Sequence, residues 1–379
     1  STPIELPFPA KVSKGEKIEQ EIQISLEGIA SKEPEPSEVE IAIDISPSEI
    51  DLPDIGLCLA NDYSDSDHQD FKELCIKHLR LDLDLDDVDE NSLGSALEVT
   101  KKLSLKLEIS IKAATNYQLS KFLTTNLDLL GSVSNFIIFS KSSKVTTTEF
   151  ISVARQVLGG AACISGGTDL YFTEINRGDS VVPGIDQINF SLNPQVHSFD
   201  DRTVIQNLAT QEVIARNASR ISGGLKVGIG PISLRPRFNP NATAPEKDVS
   251  NTALPASVDI RQMTWFAEAW AAISIKYLAQ SGSINSATYF ETVGWRGVKE
   301  RSQGGEDSIN FPSKPAERFP VWNLIASLKG FATCLLSSSN KPEVVDALVI
   351  RNAQVTRLIL ANFSNEAQRV HFQGLDLTP

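Results

Sequence analysis

The chain is poor in the residues that most often announce a chemistry. Its 379 residues include one methionine, four histidines and four cysteines. Cys58, Cys75, Cys163 and Cys334 lie far apart and none sits in a CxxC pair, which excludes a zinc ribbon or a dithiol redox motif. No His/Asp/Glu spacing makes a metal site, so no metal and no cofactor is expected. There is no GxxxxGK[ST], no HExxH and no GxSxG. A P-loop, a zincin helix and a nucleophile elbow are therefore excluded. The nearest approach to a dinucleotide fingerprint is Gly228-Ile229-Gly230, with Ser233 where the third glycine would stand. No apolar run reaches the roughly 18 residues of a transmembrane helix. Residues 1–10 are neither basic nor strongly apolar, so no signal peptide is expected. Three cysteines sit in apolar segments as buried thiols, which suits a reducing, cytoplasmic setting. Positive charge is also scarce: Lys+Arg 35 against Asp+Glu 48, a net charge of −13. Nucleic acid and anionic membrane are poor partners for such a surface. A small neutral substrate, or one held by a few local arginines, fits better.

What is present is ample for a large core: 41% of the residues are hydrophobic and 22% charged. Residues 17–26 (KIEQEIQISL) and 39–45 (VEIAIDI) alternate apolar and polar side chains, the pattern of half-buried antiparallel strands. After Pro53 short apolar runs alternate with amphipathic stretches. The runs are 55–59, 79–83, 105–111, 136–140, 161–165, 188–192, 226–229 and 287–290. Helical patterns cover 69–77, 95–103, 117–130, 148–158, 201–221 and 264–280, with a last one at 322–336. Eight strand–helix units predict an α/β fold of the (β/α)8 TIM-barrel class over residues 51–336. Three further period-two runs, 344–351, 356–362 and 368–373, end the chain. Residues 1–50 and 337–379 are each too small to stand alone and are expected to pair into a small β-sandwich beside the barrel.

In such a barrel the chemistry lies at the C-terminal strand ends. Glu291 directly ends an apolar run and is followed by Trp295 and Arg296; Glu174 lies in a loop after the fifth run. Two glutamates facing one another across the mouth suit acid/base or nucleophile/acid work. The competing reading pairs them with Arg177 and Arg296. His197, in NPQVHSFDD, could orient substrate or shuttle a proton, or could simply enter the helix capped by Asp200 or Asp201. Arg235 and Arg237 alternate, so on a strand they would point the same way and could hold a carboxylate or hydroxyls. Alternatively they pair with the acidic rim of strand two, which carries Arg80, Asp82 and Asp84. Asp62, Asn176 and Tyr289 complete the candidate substrate contacts, and Trp295 is a candidate platform for a sugar face. Trp265, Phe266 and Trp270 fall on a helix and read as barrel packing. His68, His78 and His371 read as structural. The acidic run 81–90 fails the calcium-loop pattern, with Asp87 where glycine is required.

Three motifs carry a resemblance: GGTDLYFTEINR (166–177), NPQVHSFDD (193–201) and TYFETVGWRGV (288–298). Together they resemble the D-apionate lactonase family, whose TIM barrel is related in architecture to the retaining glycoside hydrolases with two catalytic glutamates. The resemblance implies opening of a sugar-acid lactone and points to Glu174 and Glu291, with His197 nearby. In that clan of glycosidases the acid/base follows strand four and is preceded by Asn. Here Glu174 follows the fifth run and Asn176 comes after it. Three functions stay open on these residues: a lactonase; a retaining glycoside hydrolase with Glu174 as acid/base and Glu291 as nucleophile; and a non-catalytic carbohydrate-binding barrel.

Overall fold

The computed structural model describes residues 13–17, 19, 21–25, 40–177, 181–238 and 254–374. Residues 1–39 and 40–379 form two separate units. In the first, a turn at Lys14–Gly15 is closed by the Glu16 amide donating to the Ser13 carbonyl at 3.0 Å. The strand expected over 17–26 does not form at its described positions, where Ile22 and Ile24 are 87% and 91% exposed. Alternation alone makes no strand without a sheet to join. Ile18, Gln20 and Leu26 lie outside the described residues.

The second unit opens with strand β1 (Ile41–Asp51). The eight expected barrel strands follow: β2 (Asp54–Cys58), β3 (His78–Asp84), β4 (Lys106–Ala113), β5 (Val133–Ser140), β6 (Ile164–Tyr171), β7 (Gln187–Leu192), β8 (Lys226–Ile232) and β9 (Ile284–Glu291). They close in sequence order, and β2 and β9 pair in parallel to seal the ring. The chain is a (β/α)8 barrel. β6 runs six residues beyond its expected end, straight through Gly166 and Gly167. The expected helix 322–336 stops at Ser327, and β10 (Thr333–Ser339) takes its second half. Gly330, at φ 88°, breaks the helix, and a short run buried on both sides reads alike as helix or strand.

β11 (Val345–Arg351), β12 (Thr356–Asn362) and β13 (Val370–Gln373) complete a terminal sheet of order β12-β11-β10-β1-β13. β1 does pair with the C-terminal strands, lying between β10 and β13. The result is one five-stranded sheet. One face, with Leu348 and Ile350, packs on the barrel core. The other curls over Ile41, Ile43, Leu335 and Val349.

The apolar core lies between the barrel strands and their helices. The barrel interior is polar instead. His78 is hydrogen-bonded to Thr288 at 2.8 Å, Ser165 donates to Asn135 at 2.8 Å, and Arg80, 2% exposed, reaches the Gly230 carbonyl at 2.5 Å. Gly228 and Gly230 make room for these groups. A Cβ would stand 2.2 Å from Gln187 Nε2 at the first and 2.8 Å from Thr288 at the second. Their spacing serves side-chain packing and not a phosphate.

Helix Trp265–Gln280 buries eleven of its sixteen residues and spans the gap between barrel and sheet. Trp270 packs inside, Phe266 is half-buried, and Trp265, expected inside, is 70% exposed at the first turn. Glu268, one turn in, is pushed up to about 7 by burial. The folded chain thus holds a proton that the unfolded chain has released, and stability falls as pH rises from about 4.5 to 7. Glu268→Gln is expected to raise stability by about 1 kcal/mol at pH 8, allowing for partial exposure, and to change nothing at pH 4. Thermal denaturation at the two pH values checks it.

Candidate active site

The site begins with a break in local geometry. Along β9, Thr288 faces the barrel interior and Tyr289 faces outward, its hydroxyl 2.8 Å from Ser274 of the helix Trp265–Gln280. Strict alternation would then turn Phe290 inward and Glu291 outward. Instead Phe290 adopts φ 43°, a left-handed conformation that is costly for a bulky side chain. The register with β2 skips it, since Leu57 pairs with Tyr289 and Cys58 with Glu291. Phe290 stays outside, 6.4 Å from Trp270 between ring centroids. The bulge re-phases the strand and carries Glu291 into the mouth. Strain of this kind concentrates at functional positions.

Glu291 meets two guanidiniums there. Arg296 Nε donates to its Oε1 at 2.9 Å, and Arg237 reaches the same oxygen at 3.5 Å. Arg237 also donates to Asp82 at 2.5 Å, and Asp82 accepts from Arg80 Nε at 2.8 Å. Burial by itself would raise Asp82, but Arg80 and Arg237 outweigh it and hold its carboxyl well below the usual range. Burial likewise opposes the charge on Arg237, and Asp82 overrides it, so the guanidinium stays protonated. Beneath them burial, with Asp82 adding to it, pushes the Cys58 thiol up to about 12, so it is no nucleophile.

Arg237 and Arg296 form a wall shared by two cavities of about 350 Å³ each. The first is enclosed by Arg80, Asp82, Lys112, Asp169, Tyr171 and Asn193 among others. Lys112 donates to Asp169 at 2.5 Å and lies 4.7 Å from the Phe238 ring centroid. Burial pushes the Tyr171 phenol up. The second cavity holds Glu291, Trp295 and Asp62; Asp62 pairs with Arg301 at 2.9 Å, and Trp295 leans on Phe311.

The other expected contacts are dispersed. Glu174 lies on the short helix Phe172–Arg177 after the fifth barrel strand, 3.5 Å from Lys144 and 3.8 Å from Arg177, and lines neither cavity. The strand count of the sequence holds, so the offset from the glycosidase pattern is real. Asn176 is exposed on the same helix. His197 is exposed beside a separate cleft, with Asp200 capping the next helix. Tyr289 is sealed against Ser274. Arg235 pairs with Asp259 at 3.3 Å while Arg237 turns into the mouth. β8 ends at Ile232, so strand alternation does not govern this pair. Lys112 and Asp169 were not singled out in the sequence. Their only signal was position, at the C-terminal ends of two barrel strands. Among the described residues, no cluster of His, Cys, Asp and Glu suits a metal, and no helix is long and apolar enough to cross a membrane.

Comparison with known proteins agrees with this architecture. A family model described as D-apionate lactonase, TIM barrel domain, matches residues 55–333. A D-apionate lactonase of Brucella anthropi is 29% identical over 188 residues, 48% of this chain and 29% of that protein's length. The chain is also similar to a family 51 α-L-arabinofuranosidase from Bifidobacterium longum, at 10% identity, 89% coverage of both chains and a TM-score of 0.58. An endo-β-1,4-mannanase from Thermotoga petrophila gives a TM-score of 0.46 at 12% identity, covering 82% of this chain and 88% of its own. At 10% identity the arabinofuranosidase structure speaks for the fold alone.

Proposed function

Because the chain belongs to the D-apionate lactonase TIM-barrel domain family, we propose that it hydrolyses a sugar-acid lactone at the mouth built around Glu291. The observation that carries the reading is the bulge at Phe290, which aims Glu291 at a polar cavity alongside two guanidiniums. Glu291 takes a proton from the water that attacks the lactone carbonyl. Arg237 and Arg296, fixed beside it, stabilise the oxygen on which negative charge develops. The site brings its own charge balance. Each cation lining the two cavities already has a carboxylate partner, which suits a neutral, hydroxyl-rich substrate.

A retaining glycosidase with Glu174 as acid/base would need that carboxylate in the mouth with Glu291. Its place beside Lys144 and Arg177 counts against that version. The test sets wild type and Glu291→Gln against a panel of sugar lactones and aryl glycosides. We expect proton release from a lactone, falling about 10²–10⁴-fold in the variant. Chromophore release from a glycoside, lost in the variant, would move the protein to the glycosidases. Tight binding with no turnover by wild type would make it a binding barrel.

A further inference from the structure

Opening a lactone expels an alkoxide, which needs a proton as the ring C–O bond breaks. The wall that holds Glu291 is poor in such protons. Arg237 and Arg296 donate hydrogen bonds but do not give up a proton in proteins. A transferable proton therefore has to come from the first cavity, which meets the cavity of Glu291 at Arg237 and Arg296 and is lined by Lys112 and Asp169. Around the ring, Glu291 ends the eighth barrel strand, whereas Lys112 ends the third and Asp169 the fifth, three strands away in either direction.

Resting on the lactonase reading above, we propose that Lys112 is the general acid that protonates the leaving ring oxygen, with Asp169 as its positioning residue. Asp169 takes one of the three ammonium hydrogens at 2.5 Å, and the Phe238 ring lies 4.7 Å from Nζ. These two contacts fix the ammonium on the cavity wall with two hydrogens left for a ligand. The step balances. Water loses a proton to Glu291 and its oxygen bonds to the carbonyl carbon. The ring C–O bond then breaks, and its electron pair takes a proton from Lys112. Glu291 and the hydroxy-acid product release the two protons, one of which restores Lys112.

The test compares two lactones and three variants. On an aliphatic aldono-1,4-lactone, Lys112→Arg and Lys112→Ala are expected to lose about 10²–10⁴-fold in kcat, since arginine keeps the charge but not the transferable proton. Methylammonium ions added to Lys112→Ala restore part of the rate, a readout that a purely structural role would not give. On dihydrocoumarin, whose phenolate leaves without help, both variants stay within a few-fold of wild type. Tyr171→Phe, which removes the phenolic donor on the same cavity wall, loses far less aliphatic turnover than Lys112→Arg. Lys112→Arg at wild-type rate, equal losses on both lactones, or a Tyr171→Phe loss that replaces the lysine effect would each overturn the assignment. Any of these would leave the lactonase reading intact. A wild type that opens no lactone overturns both.

Discussion

Asp82→Asn is expected to lower kcat/KM for the sugar lactone about a hundredfold and to cost about 3 kcal/mol of stability. Asp82 divides two guanidiniums, accepting from Arg80 on one oxygen and Arg237 on the other. Without its charge, Arg80 keeps only the Gly230 carbonyl and a long contact to Asn189 at 3.4 Å, inside a barrel where it is 2% exposed. An unpaired buried cation is the expensive outcome. Arg237 loses its anchor and collapses onto Glu291, away from the place where the oxyanion forms. The stability effect also has a pH signature. The carboxyl is held low in the folded chain, so its stabilisation is complete above the ordinary carboxylate range near 4 and fades as pH falls below it. The gap between wild type and Asp82→Asn should therefore be full at pH 7 and narrow by pH 3 in chemical denaturation. A gap that widens on acidification would refute the account.

Lys276→Met is expected to cost about 3–5 kcal/mol with little change in kcat. Lys276 donates to Asp346 at 2.5 Å, and the two side chains are 2% and 0% exposed. The pair joins the helix Trp265–Gln280 to β11, so it fastens the terminal sheet to the barrel. Removing the lysine leaves Asp346 buried without its partner. Burial outweighs Asp346 and pulls the lysine below its ordinary value, so the pair itself is no source of great stability. The double replacement Lys276→Met/Asp346→Leu should accordingly recover most of the loss. Denaturant midpoints of the two single variants and the double variant close the cycle. A double variant as weak as the sum of the singles would show no coupling between the two charges and refute the account.

The sequence by itself determined the barrel. Eight apolar runs alternating with helical stretches appear as eight parallel strands, because burial of short β-rich segments is a local signal that survives folding. It also determined that Glu291 ends the eighth strand, and that Asp82 shares β3 with Arg80. The aim of those groups was decided in three dimensions. Period two would turn Glu291 outward, and only the slip between β2 and β9 at Phe290, a long-range pairing, turns it in. Glu174, equally prominent in the sequence, is carried off the cavity because β6 continues through the glycines that read as its end and passes directly into a six-residue helix. Arg235 and Arg237 part company because β8 stops before them. Lys112 and Asp169 stand 57 positions apart in the chain and meet only because β4 and β6 end at the same rim of a closed ring. Local periodicity records which residues a strand carries. Register, bulges and closure decide which of them face the same space, and those depend on partners that no local pattern names.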